Sequence, residues 1–233
     1  MQHVVARRDG WTLLLGVTPE LAAAALPLVA IDRDPEMIRE LWPGDGAERR
    51  AVAGDWRALP FESGSFGAAL GDGSLNVLAS GDDQRAVLAE LGRVLAARGR
   101  AALRVFCRPV VAERRTDLLR AAERGAVPCF HALKWRVAMS LAAERDGRVA
   151  VRDILEAFPA DPGERHRLAG RAGWQSGEML TLDVYRGSSA EYVFPTREEL
   201  ERRLPREFSR AEWIEVAGYP LAERCPLWVL DRA

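Results

Sequence analysis

Three aspartates follow short apolar runs in the first third of the sequence. Asp32 ends the run "PLVAID", Asp55 follows "RRAVAG" and Asp72 follows "SFGAALG". An ionised aspartate accepts hydrogen bonds through two oxygens, so one carboxylate can hold two neighbouring hydroxyl groups such as those of a ribose. Asp32 is therefore the first candidate for contact with a nucleotide-like ligand.

A single glycine stands where a nucleotide-binding strand–turn–helix unit usually has several. Residues 13–34, "LLLGVTPELAAAALPLVAIDRD", begin like the first strand of such a unit and end like its second. Glycines let a ligand approach the backbone, whereas Thr18 narrows that approach and offers a hydroxyl group instead. Asp32 follows Gly16 by 16 residues, where about 20 are typical. The difference is about one helical turn, so the helix can shorten without rotating its buried face.

The elements that must position these residues alternate apolar runs with helical patterns from residue 11 to 107. Such alternation is typical of a parallel sheet that helices cover on both faces. We predict strands at 11–16, 27–32, 49–55, 65–73 and 100–107, and helices at 19–26, 34–42 and 82–96. Pro19 suits the first turn of its helix, Asp34 can cap the next helix, and Gly99 is predicted to end the third.

The second half of the sequence is largely helical. We expect extended segments at 179–187 and 191–194, a helix at 196–204 that opens with a capping box from Thr196 to Glu199, and two strands within 212–232. We predict a core formed by residues 1–107 and 206–233. Residues 108–205 would then be a mainly helical insertion that acts as a lid or specificity region, because loops of this length in a compact domain are usually functional.

Composition limits the partners and the location. The chain has 233 residues and a net charge of −1, which gives no sign of a nucleic-acid or membrane partner. Lys134 is the one lysine among 33 basic residues, which we attribute to compositional bias. The three cysteines, Cys107, Cys129 and Cys225, fit a reducing compartment. The apolar run near the N-terminus is too short for a signal peptide or a membrane span, so we predict a cytoplasmic protein.

The order of the parts resembles that of class I S-adenosylmethionine-dependent methyltransferases. The resemblance covers residues 11–107 and 212–232, and it rests on four segments: "VAIDRDPEMI" (29–38), "GDWRALPFESGSFGAAL" (54–70), "GDGSLNVL" (71–78) and "ELGRVLAARGRAALRVF" (90–106). It implies a doubly wound α/β fold. The mostly parallel, Rossmann-like sheet would have seven strands, an antiparallel final strand, and a largely helical insertion before the last strand pair.

The resemblance also implies S-adenosylmethionine as cofactor. Asp32 would accept the ribose hydroxyls, Arg33 and Met37 would flank the adenine, and Asp55 would contact the adenine amino group. The implied cofactor-binding residues are Gly16, Thr18, Glu20, Asp32, Arg33, Met37, Asp55, Trp56, Asp72 and Gly73.

The first motif departs from the family pattern of an acidic residue followed by Gly-x-Gly-x-Gly. Leu14, Gly16, Thr18 and Glu20 stand at those positions. Glu20 would contact the amino group of the methionine moiety, a role that an acid at position 14 would otherwise share.

Methyl transfer is an in-line displacement at an activated sulfonium, so positioning supplies much of the catalysis. A base is needed only if the acceptor loses a proton. Asp72, His131 and Tyr185 are the catalytic candidates. The Cys-x-His pair at 129–131 lacks further ligands at metal-binding spacing, so we predict no metal. We expect a small-molecule acceptor, and the sequence fixes neither its identity nor the oligomeric state.

Two other interpretations stay open. A non-catalytic relative would keep the sheet and serve as a binding or accessory protein. A nicotinamide-dependent oxidoreductase would suit Asp32, but it needs Gly-x-Gly-x-x-Gly, and positions 16, 18 and 21 are Gly, Thr and Leu.

Overall fold

The computed structural model describes residues 10–23 and 27–233, which form two compact units. The first unit contains the described residues up to Val105 together with Arg197–Val216 and Cys225–Ala233. The second unit contains Phe106–Thr196 and Ala217–Arg224. The insertion was predicted at 108–205, but residues 197–205 cluster with the first unit, where the Arg203 guanidinium donates to Gln84 Oε1 at 2.6 Å.

The elements have the following bounds. The strands are β1 (Trp11–Leu15), β2 (Leu28–Asp32), β3 (Arg49–Ala53), β4 (Phe66–Asp72), β5 (Leu95–Arg104), β6 (Arg148–Ala150), β7 (Glu191–Val193), β8 (Phe208–Ile214) and β9 (Leu227–Arg232). The α-helices are α1 (Pro19–Ala22), α2 (Pro35–Leu41), α3 (Gly81–Val94), α4 (Arg115–Glu123), α5 (Phe130–Ala143), α6 (Val151–Glu156), α7 (Pro162–Ala172) and α8 (Arg197–Glu201). Three 3-10 helices span Ser74–Val77, Ser176–Tyr185 and Ala222–Arg224.

The first unit is built on a seven-stranded sheet of order β3-β2-β1-β4-β5-β9-β8. The first five strands in this order pair in parallel, and β9 is antiparallel to both of its neighbours. The predicted fold class, a mostly parallel sheet with an antiparallel final strand, is therefore confirmed.

The register of this sheet brings three strand ends to one edge. Leu15 in β1 pairs with Ile31 in β2 and with Gly71 in β4. Leu13, Leu14 and their neighbours on these strands are buried, as expected for a parallel sheet with both faces covered. The turns that follow β1, β2 and β4 consequently meet at the carboxyl edge of the sheet.

Local signals place the helices that follow these strands. Pro19 and Pro35 occupy the first turns of α1 and α2, and the Asp34 carboxylate caps α2 by accepting from the Glu36 amide at 2.8 Å. Both predictions are confirmed. The predicted helix at 19–26 is seen as far as Ala22, and residues 24–26 lie outside the described residues.

The prediction that Gly99 ends a helix is wrong. Helix α3 ends at Val94, and Leu95 already belongs to β5. The start of β5 bulges against β4, where Arg98 takes a φ of +63°. Gly99 stays within the strand, and a Cβ added there would lie 2.8 Å from the Ala96 carbonyl oxygen. The glycine therefore serves the bulge, because only a residue without a side chain fits so close to the backbone.

The second unit packs its helices around a core that includes Phe130, Leu133 and Val137. Its two-stranded sheet pairs β6 with β7, which confirms an extended segment near 191–194. The extended segment predicted at 179–187 is wrong, since most of it belongs to the 3-10 helix Ser176–Tyr185. Within the described part of the chain, no helix is both long and apolar enough to cross a membrane.

Candidate functional site

The first unit contains a cavity of about 430 Å³ at the carboxyl edge of its sheet. The walls come from the turn after β1, the end of β2, one face of α2, the loop after β3 and the turn after β4. Ligands of open α/β sheets bind outside the carboxyl ends of the strands. The cavity therefore lies where the fold favours a ligand site.

The cavity gathers most of the residues to which the sequence assigned a cofactor. Nine of the ten line it: Gly16, Thr18, Asp32, Arg33, Met37, Asp55, Trp56, Asp72 and Gly73. Glu20 is exposed in the first turn of α1 and is not among the lining residues. His131 and Tyr185 belong to the second unit, so this cavity does not test their predicted catalytic roles.

The turn after β1 depends on its single glycine. Gly16 has a φ of +97°, which side-chain-bearing residues rarely adopt, and its amide donates to the Ile31 carbonyl at 2.9 Å. A Cβ added to Gly16 would lie 3.9 Å from both Asp32 Oδ2 and Trp56 Cζ2. The turn thus brings the backbone to the Asp32 carboxylate and the Trp56 ring.

Trp56 reaches this turn from the loop after β3. Its indole Nε1 donates to the same Ile31 carbonyl at 2.7 Å, so that oxygen accepts from both Gly16 and Trp56. From the sequence we predict that Trp56 lies beside the cofactor. The structure adds that its ring is fixed against the first turn, next to the one glycine.

The Asp32 carboxylate is only half engaged. Its Oδ1 accepts from the Asp34 amide at 3.0 Å, whereas no described residue donates to Oδ2. Thr18 is the N-cap residue of α1, and its hydroxyl makes no capping hydrogen bond. Both groups remain available to a ligand.

The opposite wall holds an ion-paired group formed by Asp55, Arg57 and Asp83. The Arg57 guanidinium donates to both Asp55 oxygens, the shortest contact being 2.6 Å, and to Asp83 Oδ1 at 2.8 Å. These hydrogen bonds lower the pKa of Asp55 to about 2 and also lower the pKa of Asp83. Both carboxylates are consequently ionised at neutral pH.

Asp72 is also ion-paired. The Arg104 guanidinium donates to its two oxygens at 2.6 and 2.5 Å, which is the bidentate geometry of a strong charge-assisted pair. Asp72 can orient a bound group through the lone pairs that Arg104 leaves unused.

Ser74 brings an unused hydroxyl to the wall after β4. Its residue is 3% exposed, and its Oγ has no hydrogen-bond partner among the described residues. The Oγ packs so close to Gly71 that a Cβ at Gly71 would lie 2.4 Å from it. Buried polar groups are normally hydrogen-bonded, and this hydroxyl is an exception within the described part of the chain.

Three exposed apolar side chains complete the cavity. Met37, Leu41 and Val77 are 41, 42 and 42% exposed. Met37 and Leu41 are four residues apart on α2, so they share one face of that helix. They give the cavity an apolar wall suited to a flat ring.

Sequence reasoning missed Leu41, Arg57, Ser74 and Asp83. The spacing of Leu41 from Met37 was a usable signal, because residues four apart share a helix face. Arg57 and Asp83 are 26 positions apart in the sequence, and no local pattern connects them.

The family comparison locates the similarity in the first unit. Residues 16–103 match the family described as methyltransferase domain. No curated protein matches the sequence.

Solved structures share the fold over nearly the whole chain. A SAM-dependent methyltransferase from Methanosarcina mazei is 16% identical with a TM-score of 0.55, covering 99% of this chain and 95% of its own. A methyltransferase from Haloferax volcanii, in complex with the Trm112 activator, is 14% identical with a TM-score of 0.54, at 99% and 87% coverage. A SAM-dependent methyltransferase from Thermotoga maritima is 12% identical with a TM-score of 0.52, at 100% and 87% coverage. At these identities the likeness concerns the fold.

Proposed function

We propose that this chain, whose residues 16–103 match the methyltransferase domain family and whose fold is that of class I methyltransferases, transfers a methyl group from S-adenosylmethionine. The acceptor would be a small molecule. The net charge of −1 offers no electrostatic surplus for a nucleic acid.

The Asp32 carboxylate carries the proposal. It ends β2 at the carboxyl edge, its Oδ2 receives no donor from the described residues, and it lies beside the Gly16 backbone. A pair of ribose hydroxyls would satisfy such a carboxylate.

The cavity charges suit this cofactor. Four carboxylates line it, from Asp32, Asp55, Asp72 and Asp83, against the guanidinium groups of Arg33 and Arg57. Arg104 neutralises Asp72, which leaves one surplus negative charge. S-adenosylmethionine carries a sulfonium and an ammonium against one carboxylate, so its net positive charge complements the wall.

The adenine is assigned to the apolar face of α2. Met37 and Leu41 present exposed side chains there, near Asp32 in the same cavity. Asp55 was predicted to contact the adenine amino group, but both of its oxygens already accept from Arg57. In our proposal, the adenine amino group therefore binds at the edge of the Asp55–Arg57 pair and shares the remaining lone pairs of that carboxylate.

When bound, S-adenosylmethionine supplies a methyl group on a positively charged sulfur, and the chain's residues do the positioning. Asp32 fixes the ribose, Met37 and Leu41 hold the ring, and the Gly73 turn lies where the acceptor would approach. Holding donor and acceptor in line accounts for the rate without a proton-accepting residue in the first unit. His131 and Tyr185 remain the proposed candidates if the acceptor must lose a proton.

We also propose a cytoplasmic location. The three cysteines, Cys107, Cys129 and Cys225, are odd in number and far apart in the sequence. Such cysteine usage is typical of proteins from a reducing compartment.

A ligand panel tests the proposed function. Purified protein is melted alone, with S-adenosylmethionine, with its demethylated product S-adenosylhomocysteine, and with NAD. A ligand of the native state raises the melting temperature, and we expect a rise with the first two compounds only. A rise with NAD alone would favour an oxidoreductase, and no rise with any of them would favour the non-catalytic interpretation.

A further inference from the structure

The second unit contains a buried amine without an acceptor. Lys134 lies on α5 and is 7% exposed, and no described carboxylate, carbonyl or hydroxyl oxygen accepts from its Nζ. An ammonium has three N–H donors and normally hydrogen-bonds when buried. Lys134 leaves all three donors unused by the described residues.

Two aromatic rings are the observed neighbours of this ammonium. Its Nζ lies 4.9 Å from the ring centre of Trp135 and 5.3 Å from that of Tyr185. Tyr192 packs edge-on against Trp135 at 5.4 Å. Ring faces attract a cation, but they accept no conventional hydrogen bond from it. The rings of Trp135 and Tyr185 therefore attract the charge without satisfying its donors, and Tyr192 packs against Trp135 to complete what we call the aromatic box.

The same unit shows what a satisfied buried cation looks like. Arg165 is 6% exposed, and its guanidinium donates to the Pro159 carbonyl at 2.6 Å and to the Asp183 carboxylate at 3.1 Å. Burial lowers the pKa of Lys134, whereas Arg165 has a carboxylate partner. The chain thus pairs one buried cation and leaves the other unpaired.

Composition sharpens this contrast. The chain uses arginine at every other basic position, and its single lysine stands at this buried position beside two aromatic rings. An ammonium is a compact, strongly hydrated point charge with three donors, whereas a guanidinium is a plane that stacks on ring faces. The earlier attribution of Lys134 to compositional bias explains the arginines and not this position.

We propose that Lys134 and its aromatic box form a binding site for the carboxylate of an organic acid. The carboxylate would accept from the Lys134 ammonium, and the apolar body would pack against Trp135 and Tyr192. The carboxylate site is a property of the second unit alone.

Tyr185, whose ring contacts the Lys134 ammonium, also lines a second cavity of about 660 Å³ within the same unit. Ser188 and Ser189 line that cavity too, whereas Lys134, Trp135 and Tyr192 do not. Tyr185 is therefore the member of the box that borders this cavity.

The single lysine makes a direct experiment possible. Protein grown with lysine ¹³C-labelled at the ε-carbon gives one lysine signal, which belongs to Lys134. Sodium benzoate is titrated in, with benzamide as the uncharged probe of the same shape. We expect benzoate to shift the signal saturably, and benzamide to shift it by less than one tenth as much.

Two variants complete the test. Lys134→Met keeps an unbranched apolar side chain and should lose benzoate affinity at least tenfold in a thermal-shift titration. Arg120→Met, at an exposed position on α4, should bind benzoate like the wild type. Absence of a benzoate shift, an equal shift with benzamide, or unchanged benzoate binding by Lys134→Met would overturn the proposal. The S-adenosylhomocysteine response of the same samples reports separately on the proposed function, because the 430 Å³ cavity lies in the first unit.

Discussion

The two units treat their charged groups in different ways. Around the cavity of the first unit, Asp55, Asp72 and Asp83 are each paired with an arginine, and one Asp32 oxygen is left without a donor. In the second unit the unpaired group is positively charged, because the Lys134 ammonium is buried without an anion among the described residues. Since paired charges satisfy one another, the unpaired groups are the better guide to ligands. Our proposals accordingly place a hydroxyl-bearing, cationic ligand in the first unit and an anionic ligand in the second.

Of the substitutions considered, Asp32→Ala should lower the affinity for S-adenosylhomocysteine the most. Two hydrogen bonds to a charged oxygen pair would be lost, so affinity for S-adenosylhomocysteine should fall about 10- to 100-fold. Calorimetric titration at pH 7 measures the change. The fold should persist, because one amide hydrogen bond is the main described contact of this carboxylate.

Glu20→Ala is the matched control for that variant. Glu20 is a nearby acid that the sequence placed in the cofactor site, whereas the structure leaves it exposed and outside the cavity lining. Its replacement should leave affinity unchanged within about twofold. An equal loss in both variants would mean that general charge, and not the position of Asp32, determines binding.

Arg57→Gln tests the ion-paired wall of the cavity and should lower the affinity less than Asp32→Ala does. It unpairs Asp55 and Asp83 while leaving Asp32 untouched, so affinity for S-adenosylhomocysteine should fall by less than about fivefold, as expected for an exposed ion pair. A loss as large as that of Asp32→Ala would show that the ion-paired wall, and not the half-engaged carboxylate, carries the binding.

The pH dependence of stability gives this variant a second readout. The folded-state pKa of Asp55 is about 2, below its ordinary value of 3.8, so the Arg57 pair stabilises the protein above about pH 4. That stabilisation is lost as pH falls from about 4 to about 2. The wild type should melt slightly above Arg57→Gln at pH 6, and the difference should shrink by pH 3. A difference that grows on acidification contradicts this assignment.

Much of the first unit was predictable from the sequence. Buried strands appear as continuous apolar runs, and Asp34 before Pro35 is a local capping signal that the structure confirms. Gly99 was misread because the bulge in β5 depends on pairing with β4, a partner about 30 residues away in the sequence.

The 3-10 helix of the second unit shows why one apolar pattern can be read in two ways. Leu180, Leu182 and Val184 alternate with the polar residues Thr181 and Asp183, as in a strand. The structure buries Met179, Leu182 and Tyr185, which are three residues apart, and exposes Leu180 and Val184. A period of three is that of a 3-10 helix. Only the surrounding core decides which apolar residues are buried.

The sequence predicted the site residues that stand at the ends of strands. It did not predict which side chains of the site form hydrogen bonds or ion pairs with one another. Asp32 and Asp72 were predictable because they are the last residues of β2 and β4. The engagement of Asp55 by Arg57, and of Trp56 by the Ile31 carbonyl, follows from the path of the loop after β3. The unpaired state of Lys134 is a statement about its neighbours in space, which no motif records.

We propose that the cavity of the first unit binds the cofactor despite its single-glycine turn. Isothermal titration of S-adenosylhomocysteine into the wild-type chain tests this proposal. We predict one site per chain with a Kd of about 100 μM or tighter, within the range usual for enzyme ligands. An absence of binding at about ten times that concentration would mean that the cavity is not the cofactor site.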